Sequence, residues 1–119
     1  MKYMIMMFGT AAEMTEVQSP EWIREMIGFM VDFDKELTDN GEMVFNAGLA
    51  DGSMGKVVRR SGGAVPLVTD GPYAEAKEST VGFWVLDVES EQRIIDIAAR
   101  IVEYSQVVEV RPLGQPPEV

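Results

Sequence analysis

The fold of this chain is decided by a stretch of eight residues, VGFWVLDV at positions 81–88, in which nearly every side chain is apolar. An extended strand turns successive side chains to opposite faces of a sheet, so both faces of this strand carry apolar groups. Such a strand belongs in the middle of a sheet that is covered on both sides. The stretch KYMIMMF at residues 2–8 has the same character and predicts a second central strand.

Two amphipathic helices are predicted between the strands. The first begins at Ser19, which supplies an N-cap hydroxyl before Pro20, and runs to Asn40, where Gly41 ends it in a left-handed conformation. Its predicted apolar stripe is Trp22, Met26, Phe29, Met30, Phe33 and Leu37. Gly28 interrupts this helix at a cost of about 1 kcal/mol relative to alanine. A close approach of the helix to the sheet is one explanation for that glycine.

The second helix is predicted to begin after Ser90 and to end near Tyr104. Its apolar stripe is expected to be Ile94, Ile95, Ala98, Ile101 and Val102. The acidic residues of the first helix are predicted to form a solvated face; these are Asp32, Asp34, Glu36 and Asp39.

Four further strands complete the pattern. Residues 42–49 alternate, which predicts that Met43, Phe45 and Ala47 lie opposite Val44, Asn46 and Gly48. Residues 56–59 and 65–68 predict a hairpin around the glycines at 62 and 63, and Pro66 marks its second strand as an edge. Residues 107–111 are predicted to form the last strand, and Pro112 is expected to stop it.

Without the hairpin, the order is strand, helix, strand, strand, helix, strand, which is the ferredoxin-like split βαβ pattern of an α+β domain spanning residues 1–119. Two helices can cover one face of such a sheet. Because the central strands are apolar on both faces, we expect a second copy of the chain to cover the other face, giving a homodimer with a dimeric α+β barrel. The alternative is a broad ligand cavity on that face.

Composition excludes several classes of function. The net charge of −10 disfavours nucleic acid as a partner. No apolar stretch is long enough for a membrane-spanning helix, and the apolar run at 2–8 is too short for a signal peptide, so we expect no membrane partner. The absence of cysteine is compatible with a cytoplasmic location. We expect neither a metal nor a cofactor: the nine methionines fit core positions, and no calcium loop spacing is present.

The densest group of reactive side chains is the stretch DGPYAEAKES at residues 70–79. Because the chain has no histidine and no cysteine, acid–base chemistry would use Asp, Glu, Lys or Tyr. Asp70 and Glu75 are the candidate catalytic pair, since a pocket could split their pKa values into acid and base roles. The candidate ligand-binding residues are Tyr73 for a carbonyl oxygen, Lys77 or Arg59 for a carboxylate, and Glu78.

A purely structural role for the same stretch is the competing hypothesis. Asp70 would accept hydrogen bonds from turn amides, Gly71 would adopt a conformation closed to other residues, Tyr73 would pack at the dimer interface and Lys77 would pair with neighbouring acids. Arg59 belongs to a basic cluster with Lys56 and Arg60, which could attract an anionic ligand or protect the edge of the hairpin. A turn has no need of the acids at 75 and 78.

These segments together resemble the YCII-related family, and within it the DGPF-motif branch. The resemblance covers nearly the whole chain and depends on KYM at residues 2–4, DGPYAE at 70–75 followed by KE at 77–78, GFW at 82–84 and VEVRP at 108–112. Tyr73 stands where the branch has phenylalanine. The resemblance implies a dimeric α+β barrel of the ferredoxin-like type.

The resemblance implies little about chemistry. Members of the family are mostly uncharacterised bacterial proteins, and other proteins of this barrel architecture are isomerases, lyases and monooxygenases. Some members of the branch occur beside or fused to alternative sigma factors. Another branch carries a histidine and aspartate pair proposed as catalytic, which a chain without histidine cannot provide. Two functions therefore stay open: a small-molecule site with cofactor-independent isomerase or lyase chemistry, and a non-catalytic binding or regulatory module.

Overall fold

The computed structural model describes residues 1–9, 17–73 and 79–118. Its elements, in chain order, are β1 (Lys2–Phe8), α1 (Pro20–Asp39), β2 (Met43–Gly48), a 3₁₀ turn (Gly52–Met54), β3 (Lys56–Arg59), β4 (Leu67–Asp70), β5 (Thr80–Asp87), α2 (Glu91–Ser105) and β6 (Val108–Pro112). Neither helix is long and apolar enough to cross a membrane in this part of the chain.

Four of the strands form one antiparallel sheet in the order β2-β5-β1-β6, while β3 and β4 form a separate hairpin. The two strands predicted to be central, β1 and β5, are the inner ones, with Ile5 opposite both Trp84 and Val110. This order confirms the ferredoxin-like α+β fold with an inserted hairpin. The molecule is flat, with principal extents of 49 × 46 × 20 Å, as expected of one sheet layer and one helix layer.

The second hairpin strand begins two residues later than predicted, at Leu67 instead of residue 65. Pro66 therefore precedes the strand and is not part of its edge. Within the longer loop, the Ser61 hydroxyl donates to the carbonyl of Val65 at 2.5 Å.

Both helices begin at the predicted N-caps and end within a residue of the predicted positions. The Ser19 hydroxyl accepts from the Trp22 amide at 3.1 Å, and the Ser90 hydroxyl accepts from the Arg93 amide at 3.1 Å. Gly41 follows α1 with φ +76°. The explanation offered for Gly28 is wrong, because a Cβ at that position would have no neighbour within 4 Å. Close packing therefore does not require a glycine at this position.

The core lies between the helices and one face of the sheet. Tyr3, Ile5, Trp84 and Leu86 contribute from the sheet, and Phe33 and Leu37 from α1. On α2 the buried set is Ile94, Ile97, Ala98 and Ile101. The predicted stripe was wrong at Ile95, which is exposed, because Ile97 lies on the same side of the helix as Ile94 and Ile101.

Strand β2 departs from simple alternation. Its register shifts between Met43 and Phe45, so that Met43 lies opposite Leu86 while Phe45 lies opposite Val85. Met43 is therefore on the helix-facing side, although the alternating pattern predicted that it shares a face with Phe45. The shift also brings Asn46 to the helix-facing side, opposite Trp84.

Asp34 ties α1 to this part of the sheet. Its carboxylate accepts from the Trp84 indole nitrogen at 3.0 Å and from the Asn46 amide nitrogen at 2.8 Å. The prediction that the acids of α1 form one solvated face is therefore wrong at Asp34. It is also incomplete at Glu36, which pairs with Arg100 on α2.

The second sheet face is turned away from both helices. It carries apolar side chains from three strands, namely Met4, Met6, Phe45, Ala47, Phe83 and Val85. The rings of Phe45 and Phe83 lie 5.8 Å apart, and Phe45 is 57% exposed. On β6 the same face carries the ion pair of Glu109 and Arg111. In the described part of the chain, no helix packs against this face.

A bidentate ion pair joins Glu42, the residue directly before β2, to α2. Arg93 donates from Nε and Nη2 to the two carboxylate oxygens of Glu42, each at 2.8 Å. Both side chains are largely removed from water. These hydrogen bonds hold the pKa of Glu42 below its ordinary value of 4.5.

We predict that the Glu42 pair makes a pH-dependent contribution to stability. Because the folded-state pKa is lowered, the contribution is present above the unfolded pKa and is lost as the pH falls through the folded pKa. Glu42→Gln should lower the free energy of unfolding by about 1–2 kcal/mol at neutral pH, and the gap to wild type should narrow on acidification. Urea unfolding of both proteins, from neutral pH down through the folded-state pKa of Glu42, measures this difference in the free energy of unfolding. Asp39→Asn, which removes the exposed pair with Lys35, is the control and should change little. A gap that does not depend on pH would contradict the prediction.

Candidate functional site

A cleft of about 460 Å³ opens at one end of the sheet, where β2 ends and β5 begins. We call it the loop cleft. The amide of Leu49 donates to the carbonyl of Val81 at 2.8 Å, which holds the end of β2 against β5 at this point. The described walls come from two segments: residues 49–52 with Met54 and Gly55 on one side, and Pro72, Tyr73, Ser79 and Thr80 on the other.

The first wall is the 3₁₀ turn and its cap. Asp51 accepts from the Ser53 amide at 3.1 Å and from the Ser53 hydroxyl at 2.6 Å. These two hydrogen bonds lower the pKa of Asp51. The turn closes when the Gly55 amide donates to the carbonyl of Gly52 at 3.0 Å. Asp51 is therefore an ionised group that caps a turn and also lines the cleft.

The second wall is the turn at residues 70–73, and a backbone hydrogen bond joins it to the first. The amide of Gly71 donates to the carbonyl of Gly55 at 2.8 Å. Gly71 has φ +96°, which agrees with the prediction of a conformation that disfavours other residues. At Gly52 a Cβ would lie 3.2 Å from the Ser79 hydroxyl and 3.5 Å from the Pro72 ring. The two walls therefore touch at a glycine.

Asp70 lies at the end of β4 and forms an ion pair with Lys56, its partner across the hairpin. Its side chain is 82% exposed, and it is not among the described residues that line the loop cleft. The hypothesis that Asp70 accepts turn amides is not what the geometry gives, since its hydrogen-bond partner is the Lys56 ammonium. The turn closes through backbone groups instead.

Tyr73 and Arg59 are brought together at the loop cleft. The guanidinium carbon of Arg59 lies 5.2 Å from the centre of the Tyr73 ring, within the range of a cation–π contact. Tyr73 lines the cleft and is 53% exposed. A ring placed in this way can contact the apolar part of a ligand, while its hydroxyl stays available for a hydrogen bond.

Three of the predicted site residues lie outside the described residues: Glu75, Lys77 and Glu78. Their positions relative to the cleft stay a prediction. The residues on either side of the segment 74–78 are Tyr73 and Ser79, and both line the cleft.

Sequence reasoning missed the first wall of the loop cleft. The cluster Asp51-Gly52-Ser53 has the composition of a turn that ends a strand, and nothing local indicates that it meets the turn at 70–73. The signal that could have revealed this contact is the pair of Asp-Gly turns on either side of the same hairpin. The two strands of a hairpin bring the residues before and after it close together, so the two turns lie side by side.

Among the described residues, no three acidic side chains come close enough to hold a metal ion.

The described part of the wall offers both apolar and polar groups to a small molecule. Gly52, Pro72 and much of the remaining wall are apolar, and Asp51, the Tyr73 hydroxyl and the Ser79 hydroxyl supply polar groups. A small ligand with an apolar body and one or two polar groups matches such a wall.

Comparison with known proteins identifies one family. The family model of the YCII-related domain matches residues 1–114. A search of curated proteins found no significant match to this sequence.

We predict that Gly71, and not Asp70, is the structural element of the turn. Gly71→Ala forces a side chain into a left-handed conformation and should lower the free energy of unfolding by about 1–2 kcal/mol. Asp70→Asn removes an exposed ion pair and should leave stability nearly unchanged. Denaturant unfolding of both variants measures the difference. A larger loss in Asp70→Asn than in Gly71→Ala would contradict the assignment.

Proposed function

This chain belongs to the YCII-related family, and we propose that it binds a small organic molecule in the loop cleft. The observation that carries the proposal is the convergence of two separate turns, at Gly52 and at Gly71, on one cavity of about 460 Å³. This volume falls within the ordinary range of small-molecule sites, about 300–1,000 Å³. Two turns fixed by a hydrogen bond also give the cleft a preformed shape.

The proposed ligand carries an anionic group next to an apolar body. Arg59 lies beside Tyr73, and Lys56 and Arg60 belong to the same basic stretch of an otherwise acidic chain. Lys77 is proposed as a second contact for the anion and Glu78 as a polar contact. Asp51, whose ionised form is stabilised by Ser53, would disfavour an anion at its own end of the cleft. The anionic group is therefore proposed to lie toward Tyr73.

An isomerase or lyase reaction is the finer form of this proposal. Glu75 is its proposed acid–base residue, since both neighbours of its segment line the cleft. Asp70, the other carboxylate of the predicted pair, would have to leave Lys56 and turn from solvent to take part. That arrangement favours the second candidate, a non-catalytic binding or regulatory module, for which the predicted link to an alternative sigma factor supplies one setting.

We also propose that the protein is a homodimer formed through the second sheet face, with the dimeric α+β barrel that the sequence predicts. Phe45, Phe83 and Val85 present apolar surface that α1 and α2 leave uncovered. The hairpin adds more, because Val58, Leu67 and Val68 are each more than half exposed on an isolated pair of strands. An isolated hairpin is marginally stable in water. Contact with a second copy would stabilise both surfaces.

A cytoplasmic bacterial setting and membership of the DGPF-motif branch stay predictions.

The binding proposal can be tested with a panel of small mono- and dicarboxylates in a thermal-shift screen. Gly52→Val adds a branched side chain where even a Cβ would lie 3.2 Å from Ser79, so it should abolish stabilisation by ligands of the cleft. Gly62→Val makes the same change at a loop position with open space and should respond like wild type. A ligand at a hundred times its Kd should add about 2.7 kcal/mol of stability. Equal stabilisation of all three proteins by every hit would exclude the cleft.

The same hits separate the two candidate functions. Glu75→Gln should abolish turnover of a true substrate while retaining its binding. A ligand that binds to wild type without chemical change would instead support the binding module.

The dimer proposal predicts that the thermal midpoint of wild type rises with protein concentration. Val85→Asp places a charge on the second sheet face and should remove this dependence. Val31→Asp makes the same substitution at an exposed position of α1 and should retain it. A wild-type midpoint that does not vary with concentration, or identical behaviour of the two variants, would contradict the proposal.

A further inference from the structure

A second cavity, of about 580 Å³, lies between α1 and α2. We call it the helix cleft. Its walls combine aromatic and charged side chains: Trp22, Glu25 and Phe29 on α1, and Arg100, Glu103 and Tyr104 on α2. None of its described lining residues belongs to the loop cleft, so an inference drawn here is independent of the proposed function.

Three aromatic rings meet in the helix cleft. Trp22 and Tyr104 are 5.5 Å apart in an edge-to-face arrangement, with an interplanar angle of 62°. Phe29 and Tyr104 are 4.9 Å apart and tilted by 30°. An edge-to-face pair leaves ring faces in different orientations around one space. Ring faces are electron-rich, and they attract cations that come within about 6 Å of their centres.

Two carboxylates give the same cleft a negative potential. Glu25 accepts from the Tyr104 hydroxyl at 3.3 Å, and Glu103 has no hydrogen bond or ion pair with any residue in the described part of the chain. Partial burial raises the pKa of Tyr104, and the charges of Glu25 and Glu103 raise it further. The net charge of −10 adds a long-range attraction for cations.

Arg100, the cation at the other end of the cleft, is already neutralised. Its guanidinium is paired with Glu36 at 2.5 Å and lies 4.3 Å from the centre of the Phe33 ring. An aromatic ring and a carboxylate of the chain therefore hold this cation together. At the end formed by Trp22 and Tyr104, rings and carboxylates are present without a cation of the described chain.

We propose that the helix cleft binds a small organic ammonium ion, with its charged nitrogen between Glu25 and Glu103 and its apolar body against Trp22 and Tyr104. An anion would meet two carboxylates, and a bare metal ion would find aromatic rings where it needs oxygen ligands. An ammonium carried on an aromatic or aliphatic group satisfies both features of the wall.

The test is a fluorescence titration with benzylammonium chloride, against benzyl alcohol as the neutral compound of the same shape and sodium chloride as the ionic control. Trp22 lines the cleft, whereas Trp84 is 5% exposed in the core, so a change in emission reports on Trp22. Trp22→Phe should remove the change. Glu25→Gln and Glu103→Gln should each raise the Kd roughly threefold, while Asp32→Asn, which removes an exposed acid elsewhere on α1, should leave it unchanged.

Saturable binding of benzylammonium that weakens in both glutamine variants supports the proposal. No saturable change at millimolar benzylammonium overturns it. An equal response to benzyl alcohol, or a Kd that neither glutamine substitution alters, also overturns it, because the cleft would then be a general apolar groove or the cation would bind elsewhere.

Discussion

The apolar character of both faces of β1 and β5 is the constraint on which the rest of the structure depends. On the helix-facing side, Ile5, Trp84 and Leu86 are buried against α1 and α2. On the second sheet face, Phe83 and Val85 have no such cover from the helices. Full burial of a side chain of this size contributes about 1.5–3 kcal/mol, so a face of six apolar residues left in water would forgo a large part of the stability available to the fold. This imbalance is the physical basis of the proposed dimer.

The helix layer is held in place by polar contacts as well as by the core. Asp34 accepts hydrogen bonds from Trp84 and Asn46, and Glu42 accepts two hydrogen bonds from the guanidinium of Arg93. Asn46 reaches the helix-facing side because of the register shift in β2. The register shift in β2 therefore makes possible the hydrogen bond that anchors α1 to the sheet. At the outer surface, the same two helices form an aromatic and acidic cleft that the core does not require.

The order of the elements, the helix caps at Ser19 and Ser90 and the central position of β1 and β5 were predictable, because each depends on local chemistry or on the period of apolar residues. Long-range packing sets the register shift in β2 and the angle of each helix on the sheet. The sequence therefore did not predict the side of Met43, the role of Asp34 or the burial of Ile97 instead of Ile95. Gly71 was predictable from its turn. The loop cleft was not, because Gly52 and Gly71 meet through the hairpin between them. The positions of residues 74–78 relative to the loop cleft stay a prediction.

The mass of the protein in solution tests the central claim most directly. Sedimentation equilibrium at micromolar concentration should give twice the 13.2 kDa of one chain, because the second sheet face is proposed to be buried against a second copy. A mass of 13.2 kDa under these conditions would contradict the claim, and the apolar second face would then need another cover.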